Sequence, residues 1–161
     1  MGQVVSLEYL LKHRAHWKSE GRVVVFTNGC FDLLHVGHIR CIQEAAQLGD
    51  ILVVGVNSDA SVRSYKGKGR PLQDESSRCA LIAALRGVDY VTVFDEPSAD
   101  PLLRKLQPDI HAKGTDYTEE NVPERQTVLS YGGRIAITGD LKSHSTRDLI
   151  AEIRSRYSAG P

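Results

Sequence analysis

Six apolar or glycine residues in a row, Ile51-Leu52-Val53-Val54-Gly55-Val56, constrain this chain more than any other segment. A strand with one wet face alternates apolar and polar side chains, whereas a near-continuous apolar run suits a parallel strand covered on both faces. Further strand-like runs follow the same logic at Val23–Phe26, Tyr90–Phe94, Ile110–Lys113 and Arg134–Thr138. Helical segments lie between them. Ser6 can cap a first helix to about Ser19, and Ile39–Leu48 is amphipathic. Asp74 can cap a helix to about Arg86, Asp100–Leu106 is short and closed by Pro108, a polar helix is expected from about Val122 to Ser130, and a last one from near Ser145 to about Tyr157. The polar stretch from Asn57 to Gln73, with its glycines and Pro71, reads as a mobile loop. This alternation predicts an α/β fold: a Rossmann-like, doubly wound sheet of about five parallel strands.

At 161 residues the chain is the size of one domain, with an N-terminal helix over 1–20, a core over 21–157 and a tail over 158–161, frayed at Gly160-Pro161. Twenty basic and twenty acidic residues cancel, which argues against bulk nucleic-acid binding. Cys30, Cys41 and Cys79 are odd in number and widely spaced, without zinc-type pairing, so a reduced cytosol is expected. No apolar run approaches membrane-span length, and the N-terminus is too polar for a secretory signal.

In open α/β sheets, ligands bind beyond the carboxyl ends of the strands, where strand order reverses. Four polar, glycine-containing or basic segments fall at predicted strand ends: Asn28–His38, Asn57-Ser58-Asp59, Lys113–Tyr117 and Ser143–Arg147. The first carries the most chemistry. His35 and His38, with Gly37 between them, are three apart on a first helical turn and so share a face. That face lies at the positive end of the helix, where free N–H groups can receive a phosphate. No P-loop, no G-x-G-x-x-G turn and no nucleophile elbow is present. Cys30 is expected to pack in the turn or present its backbone N–H.

Gly29-Cys30-Phe31-Asp32 followed by His35-Val36-Gly37-His38 resembles the cytidylyltransferase-like nucleotidyltransferase superfamily, in which an H-x-G-H motif holds nucleotide phosphates. Histidine at position 35 is closer to the cytidylyltransferase branch than to pantetheine-phosphate adenylyltransferases. Thr27–His35, Val56–Ser61, Lys66-Gly67 with Arg70-Pro71, and Lys113–Tyr117 resemble the adenylyltransferase part of bacterial ADP-heptose synthesis enzymes. The resemblance covers roughly residues 20–155 and implies transfer of AMP from ATP to D-glycero-D-manno-heptose 1-phosphate, as a stand-alone form with kinase and phosphatase activities on other proteins.

That resemblance implies the roles that follow. His35, His38 and Lys66 are the catalytic candidates. Asn28, Gly29, Cys30, Phe31, Asp32, Gly37, Arg78, Lys113, Gly114, Asp116, Tyr117, Ser145, Thr146 and Arg147 are nucleotide-binding candidates. Lys68 and Arg70 are candidates for a substrate phosphate. Mg²⁺ is expected on the ATP phosphates, with Asp32 either orienting the motif or touching the metal's waters. Ser145 also reads as a helix N-cap, with Asp148 in the first turn. Ser145-Thr146-Arg147 departs from the family's usual Ser-Thr-Thr, and Arg147 adds a charge. The expected partners are ATP and a sugar 1-phosphate, with no nucleic acid or membrane, and a homodimer is possible. Two other readings stay open: a glycerol-3-phosphate cytidylyltransferase, and a non-catalytic nucleotide sensor on the same fold.

Overall fold

A computed structural model of the chain describes residues 1–140 and 145–157. Six strands form one parallel sheet: β1 (Gln3–Val4), β2 (Val24–Gly29), β3 (Ile51–Asn57), β4 (Tyr90–Phe94), β5 (Ile110–Gly114) and β6 (Arg134–Thr138). Their order is β1-β4-β3-β2-β5-β6. From β2 the chain builds outward through β3 and β4 on one side and through β5 and β6 on the other. The order therefore reverses at β2 and β5, whose carboxyl ends border the crevice in which such sheets bind ligands.

Both sheet faces are covered, as the apolar run at 51–56 requires. Along β3, Ile51 and Val53 enter one core, while Leu52, Val54 and Val56 enter the other. The first core packs against α1 (Leu7–Ser19), α5 (Asp100–Leu106) and α6 (Arg125–Ser130), through Leu10, Trp17, Leu102, Leu103 and Val128. The second packs against α2 (Val36–Ala46) and α4 (Glu75–Ala83), through Ile42, Ala45, Cys79 and Ile82. Gly55 faces the first core, where a Cβ would lie 2.7 Å from the Phe26 ring. Among the described residues, no helix is long and apolar enough to cross a membrane.

Two elements differ from the sequence expectation. The first is β1, whose Gln3 and Val4 pair with Tyr90 and Val91 at the sheet edge; two residues carry too little pattern to be read as a strand. The second is α3 (Asp59–Lys66), which lies in the stretch expected to be a mobile loop. Ser58 caps it by accepting from the Ser61 N–H at 3.1 Å, and Val62 is fully buried. Its polar composition hid a helix whose cap signal, Ser58 before Asp59, was present. The other boundaries agree to within about three residues; α2 begins at Val36 rather than Ile39, and α4 ends at Ala83 rather than Arg86. The last helix, α7 (Thr146–Tyr157), has no buried side chain. The expected tail over 158–161 lies outside the described residues.

Candidate active site

The motif after β2 is a tight turn that feeds α2. Phe31 takes a left-handed backbone (φ 50°), rare for a residue with a side chain, and turns its ring back over Gly29. A Cβ at Gly29 would lie 3.0 Å from that ring. His35 is the N-cap of α2 and His38 its third residue. The His35 backbone N–H donates to His38 Nδ1 at 3.4 Å, and the His38 N–H donates to the His35 carbonyl at 3.0 Å. A ring nitrogen that accepts carries no proton, so the His38 proton sits on Nε2. The two imidazoles stack with centroids 3.7 Å apart, and Phe31 meets His38 edge-on at 5.4 Å. Burial pulls the His38 pKa down to about 4, helped by His35 and then by the Lys66 ammonium. His38 is thus a neutral donor at physiological pH, beside a cation at the end of α3.

Behind this wall lies a buried polar frame. Asp32 is 1% exposed. Its Oδ1 accepts from the Leu72 N–H at 2.7 Å and the Gln73 N–H at 3.1 Å, and its Oδ2 meets Arg70 Nε at 2.8 Å. Of the two roles the sequence left to Asp32, this is the orienting one: its oxygens are committed to the 70–73 loop and do not fit a metal ligand. Among the described residues, no group of three or more His, Cys, Asp or Glu is placed to hold a metal ion. Arg70 lines the cleft while paired to Asp32.

Arg78 is a correction. The family pattern set it near the phosphates, but it is fully buried below the motif and does not line the cleft. Its guanidinium donates to the Cys30 carbonyl at 2.6 Å, to the Gln73 carbonyl at 3.0 Å and to Asp59 at 2.8 Å. It ties the motif turn to the 70–73 loop and to the start of α3. Lys68 is likewise off the cleft wall, on an exposed turn between Gly67 and Gly69. Cys30 packs in the turn with a buried side chain, and its carbonyl, rather than its N–H, is the group engaged here.

The opposite wall is the end of β5 and the turn beyond it. Lys113 is 7% exposed; its Nζ lies 3.4 Å from Asn28 Oδ1, 3.4 Å from Glu124 Oε2 and 5.0 Å from the Tyr117 ring centroid. His111, fully buried on the same strand, is 3.0 Å from Asn28 Oδ1 through its Nε2. Burial, and then Lys113, hold its pKa well below the usual histidine value. Sequence reasoning missed His111 and Glu124: one looked like a strand residue, the other like a charge on a polar helix. A Cβ on Gly114 would meet only Cys41 Sγ, at 4.0 Å, so the β5 end is open above its backbone. Asp116 is exposed at the rim and Tyr117 half-buried.

The start of α7 closes the third side. Ser145 caps the helix: its hydroxyl accepts from the Asp148 N–H at 3.0 Å and donates to the Asp148 carboxylate at 2.6 Å. The Thr146 hydroxyl donates to the Leu33 carbonyl at 3.1 Å and so docks α7 on the motif turn. Arg147 is exposed at the cleft wall. Ser143 and His144, singled out with them, lie outside the described residues.

Together these walls enclose an open cleft of about 1190 Å³. Every sequence-predicted site residue except Arg78 and Lys68 lines it. One wall offers a neutral imidazole donor stacked on a second imidazole and an exposed cation, another a buried cation and open backbone. Such a site can hold a polyanionic chain at one end and a planar group at the other.

A family model described as cytidylyltransferase-like matches residues 26–150. The chain is 50% identical over 143 residues to the bifunctional protein HldE of Syntrophotalea carbinolica, covering 89% of this chain and 29% of that protein. It is 46% identical over 155 residues to the bifunctional protein HldE of Geobacter sulfurreducens, covering 96% of this chain and 32% of the other. The chain thus spans about three tenths of the length of these curated relatives. Among solved structures, it resembles a lipopolysaccharide core biosynthesis protein from Thermoplasma volcanium, with 34% identity and a TM-score of 0.65, over 76% of this chain and 100% of that one. It also shares its fold with a pantoate-beta-alanine ligase from Francisella tularensis, at 13% identity and a TM-score of 0.66, over 97% of this chain and 77% of that one.

Proposed function

The chain belongs to the cytidylyltransferase-like family, and we propose that it transfers AMP from ATP to D-glycero-D-manno-heptose 1-phosphate, releasing pyrophosphate. The observation that carries this reading is the stacked His35–His38 pair at the start of α2, in which burial keeps His38 neutral, with Lys66 close enough to His38 to depress its pKa further. The motif resemblance and the HldE relatives support the acceptor, as does the likeness to a lipopolysaccharide core biosynthesis protein.

In the proposed reaction an oxygen of the sugar phosphate attacks the α-phosphorus of ATP in line. A bond forms from that oxygen to phosphorus, and the bond to the bridging oxygen of the β-phosphate breaks. No covalent enzyme intermediate is required, so catalysis is positioning plus charge stabilisation. The His38 Nε2–H and the His35 ring donate to the α-phosphate and bridging oxygens. Lys66 closes on the charge that develops there. A Mg²⁺ ion would be held by the ATP phosphates rather than by a protein carboxylate cluster, and would offset part of their charge. Asp32, Arg70 and Arg78 hold the motif and the 70–73 loop in register behind them. Asn28, Gly114, Asp116, Tyr117 and Arg147 receive the nucleotide from the other walls. The reaction belongs in the cytosol, with a homodimer as the expected state, which sedimentation tests.

Pyrophosphate release across a grid of ATP, CTP and GTP against heptose 1-phosphate and glycerol 3-phosphate tests the proposal. Turnover with ATP and heptose 1-phosphate supports it. Turnover only with CTP and glycerol 3-phosphate replaces it with a cytidylyltransferase. ATP binding without turnover for any acceptor replaces it with a sensor.

A further inference from the structure

The fully buried His111 is polar in a strand whose neighbours Ile110 and Ala112 are apolar, and the reaction as derived gives it no task. An imidazole in the core costs stability unless its nitrogens are engaged, and a branched aliphatic would pack the site without that cost. Only Nε2 is engaged here, toward Asn28 Oδ1 at 3.0 Å; Nδ1 is buried with no hydrogen-bond partner. Lys113, two residues on and therefore on the same face of β5, reaches the same oxygen from 3.4 Å.

The chemistry of these partners fixes their protons. An ammonium only donates, so the Asn28 atom facing Lys113 is the carbonyl oxygen and not the NH₂ group. That oxygen only accepts, so the His111 nitrogen beside it carries the proton. Glu124, itself buried, holds the lysine from its other side at 3.4 Å. Two donors on Oδ1 forbid the flipped carboxamide, and they draw density from the amide, which sharpens its N–H donors. Asn28 lines the cleft at the end of β2, and its Nδ2 has no protein partner among the described residues.

We propose that His111 is a positioning residue: with Lys113 it locks the Asn28 carboxamide so that its NH₂ group faces the cleft and donates to an anionic phosphate oxygen of the bound nucleotide. This rests on the reading of the cleft as a nucleotide site. Glu124 acts one step further out, by holding the Lys113 ammonium in place beside Asn28.

The test combines ¹⁵N NMR of the His111 ring with calorimetry of Mg-ATP binding. The wild-type ring is expected as the Nε2–H tautomer. His111→Leu, which removes the donor, should weaken ATP binding about tenfold, the scale of one hydrogen bond to a charged group. His111→Gln, which restores an N–H near the Nε2 position, should stay within about twofold of wild type. Asn28→Ala should lose as much as His111→Leu, and adding His111→Leu to Asn28→Ala should cost nothing more. A merely structural histidine would give additive losses and no rescue by glutamine, and either result overturns the positioning role, as does an Nδ1–H tautomer. If the wild-type protein bound no ATP, the nucleotide reading itself would fall, together with the ligand named here; the tautomer would still decide whether His111 donates to Asn28.

Discussion

The imidazole rings of His35 and His38 stack with their centroids 3.7 Å apart and their planes inclined by 26°. Two imidazolium ions at that separation would repel strongly, so the pair works only if at least one ring stays neutral. Burial adds to this at His38, whose pKa falls from 6.5 to about 4.

That shift makes the fold sensitive to acid. Between pH 6.5 and about 4 the unfolded chain takes up a proton at His38 that the folded chain refuses, so stability is lost as pH falls through this window. The loss from this group is on the order of 3 kcal/mol. Urea unfolding from pH 7 to pH 4 should be steeper in pH for the wild type than for His38→Asn, which has no proton to refuse. Equal slopes would mean that His38 titrates normally.

Lys66 ends α3, is exposed, and is followed by Gly67 in a left-handed conformation (φ 83°). Lys66→Ala should leave the thermal midpoint unchanged, because nothing in the core depends on it. It should lower kcat by ~10²–10³, the usual cost of one transition-state donor. The KM for ATP should move little if Lys66 engages charge mainly in the transition state.

Arg78 makes the opposite prediction. Arg78→Met removes three donated hydrogen bonds and leaves Asp59 without its ion partner. The expected destabilisation is about 3 kcal/mol, read by urea unfolding. An arginine at the phosphates would instead leave stability unchanged and raise the KM for ATP.

Gly114 and Gly29 separate two uses of a glycine. Gly114→Ala places its methyl in open space beside Cys41, so stability should change by less than about 0.5 kcal/mol. ATP affinity should nonetheless fall, by roughly tenfold, if the nucleotide lies on that backbone. Gly29→Ala drives a Cβ to 3.0 Å from the Phe31 ring, which already sits on a left-handed backbone, so it should lose stability as well as activity. Unfolding and calorimetry on the two variants check both halves.

Much of this site was legible because local pattern carries it. Ile51–Val56 announces a strand covered on both faces, and Ser6 and Asp74 cap the helices that their positions imply. His35 and His38 fall on one helical turn by spacing alone. What stayed hidden depends on contacts between segments far apart in the chain. Arg78 and Cys30 are 48 residues apart, and His111 and Asn28 are 83 apart. Neither pairing leaves a trace in local periodicity, and a buried arginine reads in sequence like an exposed one. The helix α3 was hidden for a different reason: only its Val62 and Ser61 are buried, so its apolar signal is nearly absent.

Heptose adenylyl transfer through His38 stands or falls on one assay, the release of pyrophosphate and formation of ADP-heptose from Mg-ATP and D-glycero-D-manno-heptose 1-phosphate, run with the wild type and with His38→Ala. Turnover by the wild type and a ~10²–10³-fold lower kcat for the variant are expected, because a neutral Nε2–H donor at the reacting phosphate is lost. Near-wild-type turnover by His38→Ala, or no product from the wild type with this pair of substrates, would contradict it.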